Sequence, residues 1–431
     1  MNKVRSYISD SVVNKSLKVL VLRGAGVVLF FGLTLFLTNF FSSEQVGMYD
    51  FVRSGLLIFG GIGMLGTNQA IIYYSGVLKN ADAMGSLKRI YLRMVAIVLS
   101  MSLLLLATYN LFTDAYFQDL LDKPNGGELV QQMVYGLFFF GLSMLNIDTI
   151  RAQGKPILSE FNRNIVRYTP FFIGAIALVS MDKTQLLVQA YLWGFVAVAF
   201  ITSIQVWIGF TKLSGNHTER VGTKSILKRS TPMALSAVSF FMMQSVDIIL
   251  LSKYLPFSDV AHYGVAVKLA TTVSLVLISV NVIIAPQLAQ FYAGEQWEDL
   301  KRTVRKGAQL ILLISLPGLA LMALLAGFIL GLFGTEYQSA KEVLWILLGG
   351  QLINSICGPV AIYLNMTGKQ MRLQFILLGG LLLNIFLNLW LIPIHGLIGA
   401  AMATAISMAA WNLVAVADVY RLDKVKTFYS V

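Results

Sequence analysis

The sequence predicts an all-α polytopic membrane protein with twelve transmembrane helices in two pseudo-symmetric six-helix lobes. The first reason is composition: 57% of the 431 residues are hydrophobic and 13% are charged, whereas about 25% of the residues of a soluble domain are charged. The second is a series of apolar stretches along the whole chain, and the third is the placement of the basic residues. A net charge of +12 is also typical of nucleic-acid-binding proteins. Here the charges lie in short loops between apolar stretches, so we expect no nucleic-acid partner.

Twelve stretches are long and apolar enough to be transmembrane helices, which need about 20 predominantly apolar residues. They cover residues 17–41, 51–75, 90–112, 131–150, 165–181, 186–210, 231–255, 261–291, 307–333, 340–366, 373–393 and 397–421. The stretch 165–181 is the weakest, because it is short and carries Arg167 and Pro170. The connecting loops are short, which leaves no room for a soluble catalytic domain.

Lysine and arginine are concentrated in alternate loops. With the N-terminus inside, only six of the 33 basic residues fall on the outer side: Arg53, Lys123, Lys183, Lys253, Lys268 and Lys341. Cytoplasmic loops are enriched in these residues, so we predict that both termini are cytoplasmic. Residues 1–16 are basic and polar, and no small-residue cleavage site follows them. We therefore expect 17–41 to be a retained helix rather than a signal peptide.

Three short patterns recur in one register and indicate an internal duplication. At a spacing of 213 or 214 residues, Val46-x-x-Tyr49 recurs as Val260-x-x-Tyr263, Gly154-Lys155 as Gly368-Lys369, and Leu87-Lys88-Arg89 as Leu300-Lys301-Arg302. Six helices in each half give both halves the same orientation, as in the parallel repeats of transporters that rock around a central cavity. The predicted parts are a cytoplasmic N-terminal segment (1–16), an N-lobe (17–210), a cytoplasmic linker (211–229), a C-lobe (230–421) and a cytoplasmic tail (422–431).

Lys268 is a full charge inside an apolar stretch. A lysine at the centre of a spanning helix costs about 2.5–3.5 kcal/mol on insertion scales. Seven residues of helix at 1.5 Å each place Lys268 about 10 Å below the outer surface. Asp247 lies at the same distance from the middle of the preceding loop, so one hypothesis is an intramembrane Asp247–Lys268 ion pair, with Asp247 as a coupling residue. The alternative is that Lys268 extends to the outer interface along its apolar stem.

Two arginines could give the cavity a positive charge together with Lys268. Arg53 lies near the outer start of the second stretch and, in the duplicated register, falls next to Lys268. Arg23 lies six residues into the first stretch and could line the cytoplasmic mouth. A cationic cavity suits an anionic substrate, because arginine offers a planar fork to phosphate oxygens. The alternative for both arginines is a role as an anchor at the membrane interface.

Amides within the apolar stretches are candidates for binding sugar hydroxyls. The candidates are Asn281, Asn354, Asn384 and Asn388, of which the last two are one helical turn apart. Hydrogen bonds between helices are the simpler interpretation. Asp148 and Arg151, three residues apart at a helix end, are expected to pair with each other.

Patterns typical of enzymes and metal sites are absent from the sequence. His217, His262 and His395 lack metal-ligand spacing, and no glycine-rich loop ends in Gly-Lys-Ser/Thr. Cys357 is the one cysteine, so no internal disulfide can form. We therefore predict a transporter rather than an enzyme, with no cofactor, no metal and no catalytic residues.

Several motifs, in this order and spacing, resemble those of the Wzx-type polysaccharide flippases of the multidrug/oligosaccharidyl-lipid/polysaccharide exporter superfamily. They are Ser43-Glu-Gln-Val-Gly-Met-Tyr49, Val246-Asp-Ile, Val260-x-x-Tyr263, Ala266-Val-Lys268, Pro286-Gln-Leu, Phe333-Gly-Thr-Glu-Tyr337, Asn384 and Asn388 with Ile392-Pro393 and Gly396, and Gly399-Ala-Ala-Met-Ala-Thr404. Each motif is loose by itself, but together they cover nearly the whole chain.

The resemblance implies a flippase of the bacterial inner membrane. It implies that the substrate is an undecaprenyl-pyrophosphate-linked oligosaccharide, such as an O-antigen unit in lipopolysaccharide biosynthesis, whose lipid tail stays in the bilayer. It further implies that Arg53, Lys268 and Arg23 meet the pyrophosphate or acidic sugars. A polysaccharide polymerase and a chain-length regulator are the protein partners that such a function would involve.

Two other functions remain open from the sequence. A cation-coupled multidrug exporter of the same superfamily would share the fold but more often has carboxylates within its spans. The first half has no aspartate or glutamate in the middle of a predicted stretch. A membrane glycosyltransferase or ligase would need a catalytic loop, and loop 113–130 has acidic residues but no histidine.

Overall fold

The computed structural model describes residues 2–213 and 221–428, and in these ranges the chain is helical with no strand. Residues 214–220, in the predicted linker and including His217, and 429–431, at the end of the predicted tail, lie outside the described residues. The first helices are α1 (Asn2–Phe40), α2 (Ser43–Met64), α3 (Thr67–Asn80), α4 (Leu87–Tyr109), α5 (Asp114–Leu121), α6 (Gly126–Ala152), α7 (Pro156–Phe161), α8 (Thr169–Ser180), α9 (Leu187–Thr211) and α10 (Thr223–Tyr254). They are followed by α11 (Phe257–Thr272), α12 (Ser274–Ala293), α13 (Trp297–Leu324), α14 (Ala326–Gly331), α15 (Lys341–Cys357), α16 (Val360–Met366) and α17 (Gln370–Asp423).

Among the described residues, seven helical stretches are long and apolar enough to cross a membrane. The number rises to nine if each of two bent pairs is one span. One pair is α2 with α3, bent by 44°, and the other joins 335–357 to α16 at 45°. The chain is therefore a multi-pass membrane protein, while the count of twelve spans stays a prediction.

The two last predicted spans, 373–393 and 397–421, both lie in the long helical element α17. Gly396 interrupts it with φ 56° and ψ −130°. Glycine has no Cβ and adopts positive φ readily, so this position allows a sharp kink without strain.

A second break separates α2 from α3, where Leu65 and Gly66 both have positive φ. A Cβ on Gly66 would lie 2.3 Å from the carbonyl oxygen of Ser230. The absence of a side chain at Gly66 therefore lets the backbone of α10 approach the corner between α2 and α3.

The chain divides into two compact units, Met1–Phe241, which we call the N-unit, and Met242–Val431, which we call the C-unit. The division falls within α10, because the beginning of this helix packs on α3. The Tyr74 hydroxyl donates to the Ser225 carbonyl at 3.2 Å, and the Arg229 guanidinium lies 3.9 Å from the centre of the Tyr73 ring. The predicted N-lobe (17–210) and C-lobe (230–421) divide the chain at other residues than these two units do. The two lobes stay predictions.

In the N-unit, α6 is the central helix. It packs against α2, α3, α4 and α9, and 72% of its most apolar segment is buried. The core around it includes Ile71, Met94 and Val206, and the buried Tyr91 hydroxyl donates to Asn146 at 2.7 Å. A core of the C-unit is formed by side chains of α12, α13, α16 and α17.

Candidate functional site

A buried carboxylate joins three helical segments of the C-unit. Asp247, on α10, is 6% exposed. Its oxygens accept hydrogen bonds from Tyr263 of α11 at 3.0 Å, from Asn388 at 2.8 Å, and from Thr404. The last two donors lie in α17 on either side of the kink at Gly396. Several hydrogen bonds to one carboxylate offset the cost of removing its charge from water.

Asn384 extends this network by one helical turn. Its side-chain oxygen accepts from Asn388 at 3.1 Å, and its amide donates to Ser407 at 3.2 Å. The carboxylate, amide and hydroxyl oxygens here are ligands that hard cations prefer. Among the described residues, no group of three or more His, Cys, Asp and Glu side chains could hold a metal ion.

The structure thus places two of the four candidate sugar-binding amides beside Asp247. Asn354 is elsewhere, with its amide 3.4 Å from the Gln351 oxygen, and Asn281 lies on α12. Sequence reasoning did not single out Tyr263 or Thr404 for this site, although both lie in motifs that carry the flippase resemblance. Lys268 is 7% exposed on α11, and its pairing with Asp247 stays a prediction.

All three buried carboxylates of the described N-unit form ion pairs with arginine. Asp50 pairs with Arg53 at 3.3 Å, and Glu160 accepts two hydrogen bonds from Arg23 at 3.1 and 3.2 Å. The third, Asp148, pairs with Arg163. Two of the three cations expected to face an anionic substrate, Arg23 and Arg53, therefore already contact a carboxylate.

Asp148 pairs with Arg163, and its second oxygen accepts from Asn68 at 3.2 Å. The expectation that Asp148 would pair with Arg151 was wrong about the partner. A π-helical turn over Asn162–Val166 carries Arg163, and this change in helical pitch could not be read from residue spacing.

Asp50 also corrects an inference about the first half of the chain. The second apolar stretch was predicted to begin at Phe51, which left Asp50 in a loop. In the structure Ser42 caps α2 through a capping box with Gln45, so the helix begins at Ser43. Asp50 is then two turns inside the helix and 0% exposed. The N-unit does hold a buried acid within a helix, although this acid is paired with Arg53.

Glu160 lies on α7, outside the candidate spans. Burial by itself would raise the pKa of the Glu160 carboxyl, but the hydrogen bond and the charge of Arg23 outweigh burial and lower this pKa. Glu160 is therefore held in its charged form, and it ties α1 to α7.

Arg167 is a functional candidate that sequence reasoning missed. Its guanidinium lies 5.9 Å from the centre of the Phe140 ring, 5.7 Å from Tyr168 and 5.9 Å from Phe195. No carboxylate lies within ion-pair distance of it in the described part of the chain. Cation–π contacts of this kind stabilise an arginine without neutralising it.

The rings around Arg167 continue into a cluster that extends to Arg53. Tyr191 is 5.2 Å from Phe195 and 4.9 Å from Tyr49, centre to centre, and Tyr49 is one helical turn before Arg53 on α2. We call Tyr49, Phe140, Tyr168, Phe171, Tyr191 and Phe195 the aromatic cluster. The available signal was an arginine among aromatic residues within an apolar stretch, since such charges usually face a bundle interior.

Comparison with known proteins identifies the fold of this chain. The MatE family model matches residues 232–390. A multidrug resistance MATE family transporter of the MOP superfamily, in an inward-facing conformation, superposes with a TM-score of 0.73, covers 94% of both chains and is 13% identical. The chain has the MATE transporter fold. The structure of the lipid II flippase MurJ also superposes on this chain, with a TM-score of 0.71 and 14% identity. The superposition covers 94% of this chain and 87% of MurJ.

A curated relative is the "Probable low-salt glycan biosynthesis flippase Agl15" of Haloferax volcanii. It is 23% identical over 299 residues, which is 68% of this chain and 61% of that protein. The proteins that share the MATE fold or this sequence similarity are transporters and flippases rather than enzymes. They include both drug transporters and glycan or lipid flippases, so the fold itself does not choose between these substrates.

Proposed function

We propose that this protein is a Wzx-type flippase of the bacterial inner membrane. It moves undecaprenyl-pyrophosphate-linked oligosaccharide repeat units, as used for O-antigen and related surface polysaccharides, from the cytoplasmic to the periplasmic leaflet by alternating access. In this proposal the chain crosses the membrane twelve times, with both termini in the cytoplasm and the N-lobe and C-lobe at 17–210 and 230–421.

The observation that carries the proposal is the charge arrangement of the N-unit. Its three buried carboxylates are each neutralised by an arginine, while Arg167 is partnered by aromatic rings. A net positive charge therefore remains at the aromatic cluster. A pyrophosphate is a suitable ligand, because arginine binds phosphate oxygens through two parallel hydrogen bonds.

The similarity to a glycan flippase and to a lipid II flippase supports the same substrate class. Both proteins are named as flippases, and the Haloferax volcanii relative is named for glycan biosynthesis. Sequence motifs from Tyr49 to Thr404 agree with it. The polymerase and chain-length regulator remain proposed partners that would act on the translocated unit.

The alternative is a cation-coupled multidrug exporter, and one observation favours it. The carboxylate of Asp247 is surrounded by neutral hydrogen-bond donors, which is an arrangement that could take up a proton or a cation.

We propose that Asp247 is a coupling residue in the flippase, and that Lys268 contributes positive charge in the C-unit.

Reconstitution into vesicles separates the two functions. Fluorescently labelled undecaprenyl-pyrophosphate oligosaccharide is placed in one leaflet, and its arrival in the other is followed by quenching with a membrane-impermeant reductant. We expect the protein to accelerate this transfer and to leave the distribution of a cationic dye unchanged. Dye transport without transfer of the lipid would overturn the proposal in favour of the exporter.

Arg167→Gln tests the role of the aromatic cluster in the same assay. A hydrogen bond to a charged group contributes about 1.5–3 kcal/mol, so we expect transfer to slow by about tenfold or more. Arg151→Gln is the matched control, because Arg151 is exposed at the end of α6. Equal rates for both variants would remove Arg167 from the substrate site.

A further inference from the structure

A polar cavity of about 290 Å³ lies where the beginnings of α2, α6 and α9 meet in the N-unit. Four glutamines line it: Gln45 from α2, Gln132 from α6, Gln185 from the turn before α9, and Gln189 from the first turn of α9. Its size is near the lower limit of small-molecule sites, about 300–1,000 Å³, and leaves room for a single sugar ring. None of the residues that line the cavity belongs to the aromatic cluster.

Two of these glutamines present buried oxygens that have no partner. The Oε1 atoms of Gln132 and Gln189 are buried without a hydrogen bond in the part of the chain that the structure describes. The other end of the Gln132 amide is fixed, because its Nε2 donates to Glu128 at 2.8 Å. Buried polar atoms are nearly always hydrogen-bonded. A ligand in the cavity that donates hydrogen bonds would satisfy both oxygens after a rotation of the two side chains toward it.

The surface of the cavity combines an apolar floor with a polar rim. Leu129 and Val188 are buried on the floor, at 4% and 5% exposed. Ser42, Asn125 and Gln185 on the rim are exposed. A sugar ring has an apolar face of C–H groups and an edge of hydroxyls, so it satisfies both parts of such a site at once.

Charge restricts which sugars can bind. The only ionisable side chains that line the cavity are Glu44 and Glu128, and both are acidic. Carboxylates accept hydrogen bonds from hydroxyl and amide groups, but they repel another carboxylate. The cavity therefore selects against uronic acids and other anionic sugars.

We infer that this cavity is a binding site for a neutral or N-acetylated sugar ring of the transported glycan. The inference rests on the proposed function. The three helix ends that form the cavity lie on the predicted outer side, so the site would meet the glycan portion of the substrate as it leaves the protein. It would hold a sugar, whereas the aromatic cluster would hold the pyrophosphate.

Sugar binding can be measured on the full-length protein in detergent, without a transport assay. The probes are methyl glycosides of a neutral hexose, an N-acetylhexosamine and a hexuronic acid, with binding followed by saturation-transfer NMR. We expect transfer to at least one of the first two probes and none to the uronic acid. Binding of the uronic acid as strongly as the others, or no binding of any probe, would overturn the inference.

Variants then test whether binding occurs in this cavity. We expect Gln132→Leu and Gln189→Leu each to weaken binding by about tenfold, which corresponds to the loss of one hydrogen bond to a ligand. Gln131→Leu, one residue away on α6 and outside the cavity, is the matched control. If Gln131→Leu weakens binding as much as Gln132→Leu, the site lies elsewhere and the inference is wrong.

A charge variant keeps the test independent of misfolding. Glu44→Gln with Glu128→Gln removes the repulsion, so we expect binding of the uronic acid to rise relative to binding of the neutral probe. Continued exclusion of the uronic acid would contradict the role of these two glutamates. Sugar binding without lipid transfer would overturn the proposed function alone, and lipid transfer without sugar binding would overturn this inference alone.

Discussion

Buried carboxylates in the two units are stabilised by different kinds of partner. In the N-unit, Asp50, Asp148 and Glu160 each contact an arginine, whereas Asp247 in the C-unit accepts hydrogen bonds from a phenol, an amide and a hydroxyl. Removing one partner of a buried charge costs more than the pair contributes, because the remaining group is left desolvated. Substitutions that leave a charge buried without a partner should therefore have the largest effects.

Thr404→Val tests the hydrogen bonds to Asp247. The substitution keeps the shape of the side chain but removes one donor, so we expect a loss of about 1–2 kcal/mol in the free energy of unfolding. Thr404→Ser, which keeps the hydroxyl, should lose clearly less. Thermal unfolding in detergent measures both, and equal losses would show that packing rather than the hydrogen bond matters at this position.

Asp247→Asn tests coupling. The amide retains a similar shape but cannot carry a negative charge. If Asp247 couples transport to a cation, the variant should transfer the labelled lipid at a rate that no longer changes with proton or sodium gradients. A gradient dependence that matches that of the unmodified protein would exclude Asp247 as the coupling residue.

At the scale of elements, breaks in helices place the site residues. The π-helical turn over Asn162–Val166 precedes Arg167, and the kink at Gly396 lets α17 present both Asn388 and Thr404 to Asp247. Gly66, with its positive φ, likewise allows the sharp corner between α2 and α3. Each break depends on a backbone conformation that a regular helix does not allow.

Gly66→Ala should be strongly destabilising. Gly66 has φ 71°, and an added Cβ would approach the Ser230 carbonyl to 2.3 Å. Left-handed backbone alone costs an alanine about 1–2 kcal/mol, and the clash with backbone adds to it, so we expect a loss of more than about 2 kcal/mol. Gly76→Ala, in the interior of α3 with open space around it, should instead stabilise by about 0.5–1 kcal/mol. Thermal unfolding compares the two, and similar behaviour would contradict the close approach of α10.

Contact between α1 and α7 should depend on pH through Glu160. The folded state lowers the pKa of this carboxyl, so its contribution to stability is present above the ordinary glutamate pKa of about 4.3 and is lost as the pH falls through the lowered value. Glu160→Gln should therefore be less stable than the unmodified protein at neutral pH, by about 1 kcal/mol, and the difference should disappear in acid. Glu298→Gln, whose side chain is 93% exposed in a pair with Lys301, should show no difference at either pH.

At the scale of the whole molecule, basic residues and hydropathy together predict how the chain crosses the membrane. The chain is a multi-pass membrane protein with the MATE fold. The proposed cytoplasmic position of its termini rests on the distribution of lysine and arginine. A direct test is possible because the chain has one cysteine, Cys357, which is buried.

Labelling from each side of the membrane tests the topology. Starting from Cys357→Ser, a cysteine is introduced at Lys123 in one variant and at Arg302 in another. We expect a membrane-impermeant maleimide, added outside, to label Lys123→Cys but not Arg302→Cys until the membrane is opened. The reverse pattern would invert the proposed orientation, and labelling of both from outside would contradict the span count.

The class of the protein and the approximate positions of several spans could be predicted from the sequence, while the roles of the proposed site residues stay predictions. Hydropathy is a local property, and each spanning helix must be apolar along about 20 residues, so spans such as 131–150 within α6 were readily found. Helix ends were less predictable. A capping box starts α2 at Ser43 rather than at the predicted Phe51, so Asp50 lies inside the helix. The first half of the chain therefore does hold a buried carboxylate within a helix.

The sequence by itself determined that this is a multi-pass helical membrane protein with charged and amide side chains in its spans. Only the tertiary structure decided what those side chains contact. Arg23 is 137 residues from Glu160, and Thr404 is 157 residues from Asp247. Spacing along one helix suggested Arg151 for Asp148, but partners across a helical bundle depend on how helices pack and where they bend, and residues far apart in the chain satisfy most of the buried charge.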